Sequence, residues 1–523
     1  MSRTARATGT VPGGTQTGLP AGFRIELDPA TKKLSDSILF GGSPARAMRL
    51  SAAGCIALTE LADGPVRSRA AGLLARRLTD AGLAHPRPPA TSGTLDVTVL
   101  IPVRDRAGLL DECLTAVAGQ FPVLVVDDGS ADQESVARTA ARHGATLLRR
   151  PDSGGPAAAR NTGLAAVRTE LVAFLDSDCV PPPGWIGRLA AHLADPLVGA
   201  VAPRIVAPAA EAGTGAGSAA GRSSAAARYA AACGSLDLGG REARVVPASR
   251  VGYVPTAALL VRRAALDCVA APGGPFDAAL RYGEDVDLVW RLHDAGWRIR
   301  YEPAVEVPHC GPASWSGLLG RRFRYGTSAG PLARRHPGRL VPLVLQPWPA
   351  VAVGCALARR PAAAAAAAAA GWLTMTRTVR RAGLPADGSA AATRTAIHQT
   401  WLGTGRYATQ FAAPALAALI AAPGGGEQAG RDLAGRWGRR AAAASLLLGP
   451  ALDAYRQRRP DLDPVRFVLG RIADDVAYGA GVWAGCLAER TLAPVTPHIS
   501  WRPLRVTGPG SMERKQSDAQ LLV

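Results

Sequence analysis

The sequence predicts an α/β fold: a mostly parallel, Rossmann-like sheet, with a small α+β unit before it and a helical region after it. Two observations carry this. From residue 95 to about 178, short apolar runs alternate with segments of helical periodicity, a pattern that buries a parallel sheet between helices. Two of the runs end in acidic residues, Asp127-Asp128 and Asp176-Ser177-Asp178, where such sheets collect ligands.

Each element has its own signal. VTVLIPV (97–103) is an apolar run broken only by Thr98, as expected of a strand buried on both faces. Leu109, Leu110, Cys113, Leu114 and Val117 follow at helical spacing. PVLVVDD (122–128) predicts a second strand, ESVARTAARHG a helix and ATLLR a third strand. PAAARNTGLAAVR predicts a helix opened by Pro156, and LVAFLDSD a fourth strand. Residues 208–245, rich in Ala, Gly and Ser, predict a partly ordered loop or lid rather than a strand. Ordered patterning resumes in VGYVPTAALLVRRAAL and in GEDVDLVWRLHDAGWRIRYEPAVEVPH.

The flanks differ in composition. Residues 1–18 are expected to be a disordered N-terminus. Residues 19–88 form a unit in which Phe23–Leu27 alternates like a strand, while Ala70, Leu73, Leu74, Arg77 and Leu78 trace an amphipathic helix. The Pro-rich stretch 85–94 reads as a linker. The core domain is expected at 95–340, an Ala-rich apolar helical region at 341–490 and a tail at 491–523.

With 523 residues, 48% of them hydrophobic, the chain is neither a peptide scaffold nor disordered, and it is long enough for several domains at roughly 100–200 residues each. Lys and Arg number 60 against 41 Asp and Glu, a net charge of +19, which suits nucleic acid, an anionic membrane or phosphorylated ligands. No zinc, RNA-recognition or helix-turn-helix pattern is present, which argues against nucleic acid. The eight cysteines lie far apart with no C-x-x-C pair, so reduced thiols in a cytosolic setting are expected. The N-terminus lacks the apolar stretch of a secretory signal.

Three C-terminal runs, 340–358, 361–376 and 407–426, carry no charge, and their lengths approach the ~20 residues of a membrane span. Pro342, Pro347 and Pro349 interrupt the first, and helices buried on the core are the alternative. Arg334, Arg335, Arg339, Arg359, Arg360, Arg377, Arg380 and Arg381 bracket the first two runs, and Arg436, Arg439 and Arg440 follow the third. This distribution predicts membrane association with the core domain on the cytoplasmic side.

The chemistry-bearing residues cluster. Asp-Gly and Asp-Ser favour turns, so either acidic motif alone could be a turn. Together at one sheet end they offer hard oxygen ligands to Mg²⁺ or Mn²⁺, which can bridge a diphosphate and neutralise a leaving group. Glu284-Asp285 opens a helical pattern; it either caps that helix or supplies a general base.

Five segments in order, VTVLIPVRD, VVDDGS, GGPAAARNTGL, FLDSD and GEDVDLVWRLHDAGW, give the chain a specific signature, and it resembles the family 2 glycosyltransferases of GT-A fold. The resemblance implies an inverting transferase that uses a nucleotide-activated sugar, usually a UDP sugar, with a divalent metal. It would place Pro102, Arg104 and Asp105 in the nucleoside pocket and Asp128 against the uracil. Arg160 would approach the base or diphosphate, Asp176 the ribose or sugar, and Asp178 the metal. His309 would face the metal or diphosphate, with an ordinary structural histidine as the alternative. Asp285 would be the general base, with Glu284 beside it, and Arg321, Arg324 and Tyr325 would close over the donor.

Further segments, LPAGFRIELDPATKKL, GGSPARAMRLS, SLDLG, VGYVPTAALLVRRAAL and RRFRYGTSAGPLARRHPG, are similar to the glycosyltransferases of mycofactocin systems. This narrower resemblance implies transfer of glucose from UDP-glucose onto a peptide-derived redox cofactor as a β-1,4-linked oligoglucoside. The unit at 19–88 resembles PqqD-like winged-helix modules, which implies peptide recognition; a stabilising cap on the core is the alternative. A transferase extending a membrane polysaccharide or glycolipid is the other functional reading.

Overall fold

The computed structural model describes residues 17–90, 93–208, 224–381, 386–421, 433–501 and 506–507. The residues expected to form the N-terminal tip lie almost wholly outside them.

The first unit contains β1 Arg24–Leu27, β2 Lys32–Ser35, β3 Ile38–Gly41 and β4 Arg46–Arg49, then helices α1 Ala52–Asp63 and α2 Arg69–Asp80, then β5 Ala84–Arg87. Ser51 and Ser68 cap the helices, their Oγ atoms accepting from Gly54 N and Ala71 N. Phe23, Leu39, Leu78 and Leu83 fill the core. Part of the Pro-rich stretch expected as linker is strand β5, antiparallel to β1. Its His85 is buried with Nε2 2.9 Å from Asp28 Oδ2, so composition misjudged a segment whose place is fixed by pairing.

The core follows with β6 Val97–Val103, α3 Ala107–Val117, β7 Val123–Asp128, α4 Gln133–Arg142, β8 Thr146–Arg150, α5 Gly155–Ala166 and β9 Leu171–Leu175. Then come α6 Trp185–Ala190, β10 Val198–Val206, α7 Ala225–Cys233, β11 Ala243–Arg244, β12 Ala258–Arg262, α8 Arg263–Val269, α9 Glu284–Asp294 and β13 Arg298–Pro308. The eight-stranded sheet has the order β11-β13-β10-β12-β9-β6-β7-β8. Strands β6 to β9 are parallel, as are β10 and β13, but β12 runs antiparallel between β9 and β10, so the sheet is mixed. Neighbouring residues serve opposite faces, Ile101, Val125 and Leu175 in one core and Leu100, Val126 and Phe174 in the other. Within 208–245, expected as a lid without strands, the described part holds helix α7 and strand β11; 209–223 lie outside the described residues.

Next come α10 Trp315–Thr327, α11 Ala329–Arg335, β14 Val344–Leu345, and helices α12 Pro347–Leu357, α13 Pro361–Arg381, α14 Ser389–Ala421, α15 Leu433–Arg458 and α16 Pro464–Ala488. β15 His498–Ile499 pairs with β14, and β16 Val506–Thr507 adds a parallel strand to β4. Among the described residues no helix is long and apolar enough to cross a membrane. The first uncharged run is divided between β14 and α12, and α14 kinks at Ala412, two residues before Pro414.

Two interfaces hold the molecule together. Arg76 on α2 makes a buried bidentate pair with Asp195 at 2.6 and 2.8 Å, and Asp80 accepts two bonds from Arg298 at 2.8 Å each. These fix the first unit on the sheet. Helix α16 lies against α10 at glycine contacts: a Cβ on Gly481 would stand 2.0 Å from Phe323 O, and one on Gly326 2.3 Å from Tyr478 O.

Candidate active site

A cavity of about 760 Å³ opens at the carboxyl ends of β6, β7 and β9, where the parallel half of the sheet meets antiparallel β12. β6 delivers Pro102 and Arg104, β7 Asp128, the turn after β9 Asp176 and Asp178, and the start of α9 Glu284 and Asp285. His309 follows β13, and Arg321, Arg324 and Tyr325 come from α10.

On the β7 side, Asp128 accepts from Gly154 N, Gly155 N, Ser153 Oγ and Arg150 Nε at 2.7–3.0 Å. Burial opposes its charge, but these four donors hold its carboxyl below the usual carboxylate range. Both oxygens are occupied, so Asp128 fixes the wall formed by the start of α5 instead of offering an unengaged acceptor. Arg104 lines the cavity and donates to Ser153 Oγ at 2.9 Å. Asp105, expected in the nucleoside pocket, is absent from the lining. Its carboxylate accepts from Ala131 N at 2.6 Å and its own N–H donates to Ser130 Oγ, which clamps the β6 and β7 loops together.

Arg160 lines the cavity between two carboxylates. It is 3% exposed and donates to Asp176 Oδ1 at 2.7 Å and Glu284 Oε1 at 3.0 Å. Its guanidinium joins the strand end to the helix start and borders the cavity, and its Nε has no partner among the described residues. Burial works against the Arg160 charge, but Asp176 and Glu284 raise its pKa nonetheless. Burial pushes Glu284 up despite Arg160.

Asp285 stands next to this network and is half-buried. Burial, reinforced by the negative charge of Glu284, pushes its carboxyl up to about 7. Gly283 permits the position: its φ is +81°, and a Cβ there would meet Leu332 Cδ1 at 2.9 Å and Ser328 Cβ at 3.0 Å. A carboxylate poised near neutrality in a cleft is suited to proton abstraction.

Asp178 and His309 meet at the other wall, with His309 Nε2 3.5 Å from Asp178 Oδ1. A β-bridge between Cys179 and His309 sets this approach. Among the described residues no group of three or more His, Cys, Asp or Glu side chains could hold a metal ion. Two neighbouring donors fit a cation that takes its remaining ligands from water and phosphate oxygens.

Several residues here carried no sequence expectation. Arg106 Nη1 donates to Asp178 Oδ2 at 2.6 Å. Its place two residues after Arg104, just past the end of β6, was the available signal. Tyr253 and Tyr478 also line the cavity, as does Arg322 from the basic segment expected to close over the donor. Tyr478, nearly two hundred residues after Asp285, had no local signature.

A mixed sheet with acidic residues at the end of a central strand, bordering a polar cleft, is the architecture of GT-A transferases. The sequence matches Glycosyl transferase family 2 over residues 98–267. It is 40% identical over 501 residues to the pre-mycofactocin glycosyltransferase of Mycobacterium tuberculosis (strain ATCC 25618 / H37Rv), covering 93% of this chain and 99% of that protein. It is 32% identical over 240 residues to glycosyltransferase AglE of Haloferax volcanii, covering 44% of this chain and 71% of that one. Among solved structures, a mannosyltransferase from Pyrobaculum calidifontis in complex with GDP-mannose and Mn²⁺ aligns at a TM-score of 0.41. That match has 20% identity over 77% of this chain and 89% of that chain. The chain belongs to the family 2 glycosyltransferases and, over nearly its whole length, is similar to the pre-mycofactocin glycosyltransferase.

Proposed function

We propose that the protein transfers glucose from UDP-glucose to a peptide-derived mycofactocin precursor with inversion, building a β-1,4-linked oligoglucoside. The observation that carries this reading is Asp285, a half-buried carboxylate in the cleft whose pKa lies near 7. An acceptor hydroxyl loses its proton to Asp285 Oδ as its oxygen attacks the anomeric carbon and the bond to UDP breaks. A single displacement turns an α-linked donor into a β-glycoside. Arg160 keeps Asp176 and Glu284 in place beside the reacting carbon. Pro102, Arg104 and the Asp128-anchored wall form the nucleoside side.

Asp178 and His309 would hold Mg²⁺ or Mn²⁺, which when bound neutralises charge developing on the diphosphate. Arg106, paired with Asp178, and Arg321 and Arg324 supply positive charge on the same side. Tyr325 and the two α10 arginines act in donor closure. The first unit is assigned to acceptor recognition. The protein is placed at the cytoplasmic face of an anionic membrane as a surface-bound enzyme.

Incubation with a panel of nucleotide sugars, Mg²⁺ or Mn²⁺, and pre-mycofactocin, followed by mass and NMR measurement, tests this. A ladder of β-linked hexose additions from UDP-glucose is expected. Donor hydrolysis without a glycosylated product, or α-linked product, would overturn the reading.

A further inference from the structure

The cavity extends past Asp285, and there the C-terminal helices enter it. Tyr478 of α16 joins the lining with Tyr253, Arg322 and Leu332. Tyr253 and Tyr478 thus share one cavity with Asp285, and Tyr253 is within electrostatic reach of Asp285, Tyr478 and Arg322.

Tyr478 is held there by more than helix packing. The Arg322 guanidinium lies 5.2 Å from its ring centroid, a cation–π distance. Arg322 is anchored in turn: its Nε donates to Asp474 Oδ1 at 2.5 Å, and Asp474, 1% exposed, also accepts from Tyr229 OH at 3.1 Å. Asp474 and Tyr478 are one helical turn apart on α16, so one helix face delivers both the anchor and the ring. The glycine contacts between α10 and α16 fix that face against the cavity. A buried ion pair of this kind is costly to desolvate, and Tyr478 both packs against the buried cluster of Ala329, Val482, Cys486 and Val495 and borders the cavity.

We propose that Tyr478 and Tyr253, oriented by Arg322, form an acceptor subsite that binds a six-membered ring by its apolar face next to the hydroxyl being glycosylated. The phenol rings offer apolar faces, and the guanidinium edge and hydroxyls meet ring oxygens. Both an aromatic aglycone and a previously added sugar present such a ring. The inference rests on the reading of Asp285 as the base, because that assignment places the acceptor on this side.

The test compares wild type, Tyr478→Ala and Tyr478→Phe with UDP-glucose and two acceptors, pre-mycofactocin and the same molecule already carrying one glucose. Tyr478→Ala should raise acceptor KM about tenfold or more, while Tyr478→Phe keeps most of the affinity and the Kd for UDP, measured by calorimetry, moves less than about twofold. A loss confined to the unglycosylated acceptor identifies the aglycone as the ring, and a loss confined to the glucosylated one identifies the sugar. Tyr478→Leu, which keeps volume without a ring face, serves if the alanine variant does not fold. Unchanged acceptor KM, or an equal loss of UDP affinity, overturns the subsite. Calorimetric binding of acceptor to the UDP-loaded protein separates this failure from the other. Wild type that binds acceptor without transferring sugar overturns the proposed function, whereas acceptor binding that Tyr478→Ala leaves intact overturns the subsite.

Discussion

At the scale of single residues the site is governed by one buried cation among three carboxylates. Arg160 pairs with Asp176 and Glu284 and also lowers the pKa of Asp285, while burial and Glu284 raise it. The net result, about 7 against an ordinary 3.8, means that the folded protein holds a proton on Asp285 that the unfolded chain releases. Its contribution to stability is therefore present below pH 4 and lost as pH rises through 7. Catalysis by the charged form runs the opposite way. We expect kcat/KM to fall tenfold per unit as pH drops below about 7, with Glu284, Arg160, Asp176, Tyr253 and Tyr325 as the facing titratable groups. Asp285→Asn should abolish transfer, retain UDP binding by calorimetry, and raise the melting temperature at pH 8 but not at pH 4. A variant that loses UDP binding while folded would contradict the base assignment. Arg160→Met leaves two carboxylates without their cation, a change worth about 3–5 kcal/mol of stability. In any protein that remains folded, the acidic limb of the rate profile should move to higher pH, because the charge that favours ionised Asp285 has gone. An unmoved limb with lower stability would mean that Arg160 is only structural.

At the scale of elements, the position of α16 depends on the absence of side chains. A Cβ on Gly481 would stand 2.0 Å from Phe323 O, and one on Gly479 1.7 Å from Gln410 O; both obstacles are backbone and neither can rotate away. Gly481→Ala should cost about 1–3 kcal/mol by urea denaturation as α16 is forced off α10. Gly354→Ala in α12, where nothing lies within 4 Å, should be neutral or gain about 0.4–1 kcal/mol. Equal effects at the two sites would show that α16 does not need this close approach. The same contrast explains what the sequence made legible. Strands β6, β7 and β9 are apolar runs whose local pattern states both their type and their burial, and their acidic ends follow from that. Strand β5 was hidden because its Pro-rich composition resembles a linker while its partner β1 lies sixty residues away. Arg160 was recognised as a site residue, but its pairing with Glu284 was not legible because that partner is 124 residues distant. Tyr478 was invisible because nothing in the spacing of α16 reveals which face meets α10.

At the scale of the whole molecule, charge both joins the parts and sets how the enzyme meets its surroundings. Arg76 and Asp195 are both under 5% exposed, and Asp80, with its carboxyl held at about 2 despite burial, is surrounded by Arg244, Arg298 and Arg76. Arg76→Met would strand Asp195 in the interface at a cost of about 3–5 kcal/mol. If the first unit and the core unfold as one body, melting followed by tryptophan fluorescence should remain a single transition at lower temperature; two separated transitions would show that the units are energetically independent. The outer surface raises the other question. Trp372 and Trp437 on the C-terminal helices are 44% and 63% exposed, Arg377, Arg380 and Arg381 follow Trp372 in sequence, and the Arg440 guanidinium lies 5.9 Å from the Trp437 ring centroid. No described helix is long and apolar enough to cross a bilayer, so any membrane contact by the described helices has to be interfacial, with indole rings at the headgroup level and arginines on anionic lipid. Electrostatic attachment of this kind is screened within about 8–10 Å at physiological salt and weakens further as salt rises. Flotation with phosphatidylserine-containing vesicles should therefore recover the protein at low ionic strength and release most of it at 1 M salt, and Trp372→Ala together with Trp437→Ala should weaken the low-salt binding. Failure to float with anionic vesicles at low salt would remove the membrane from the account and leave the basic surface to solubility and donor attraction alone.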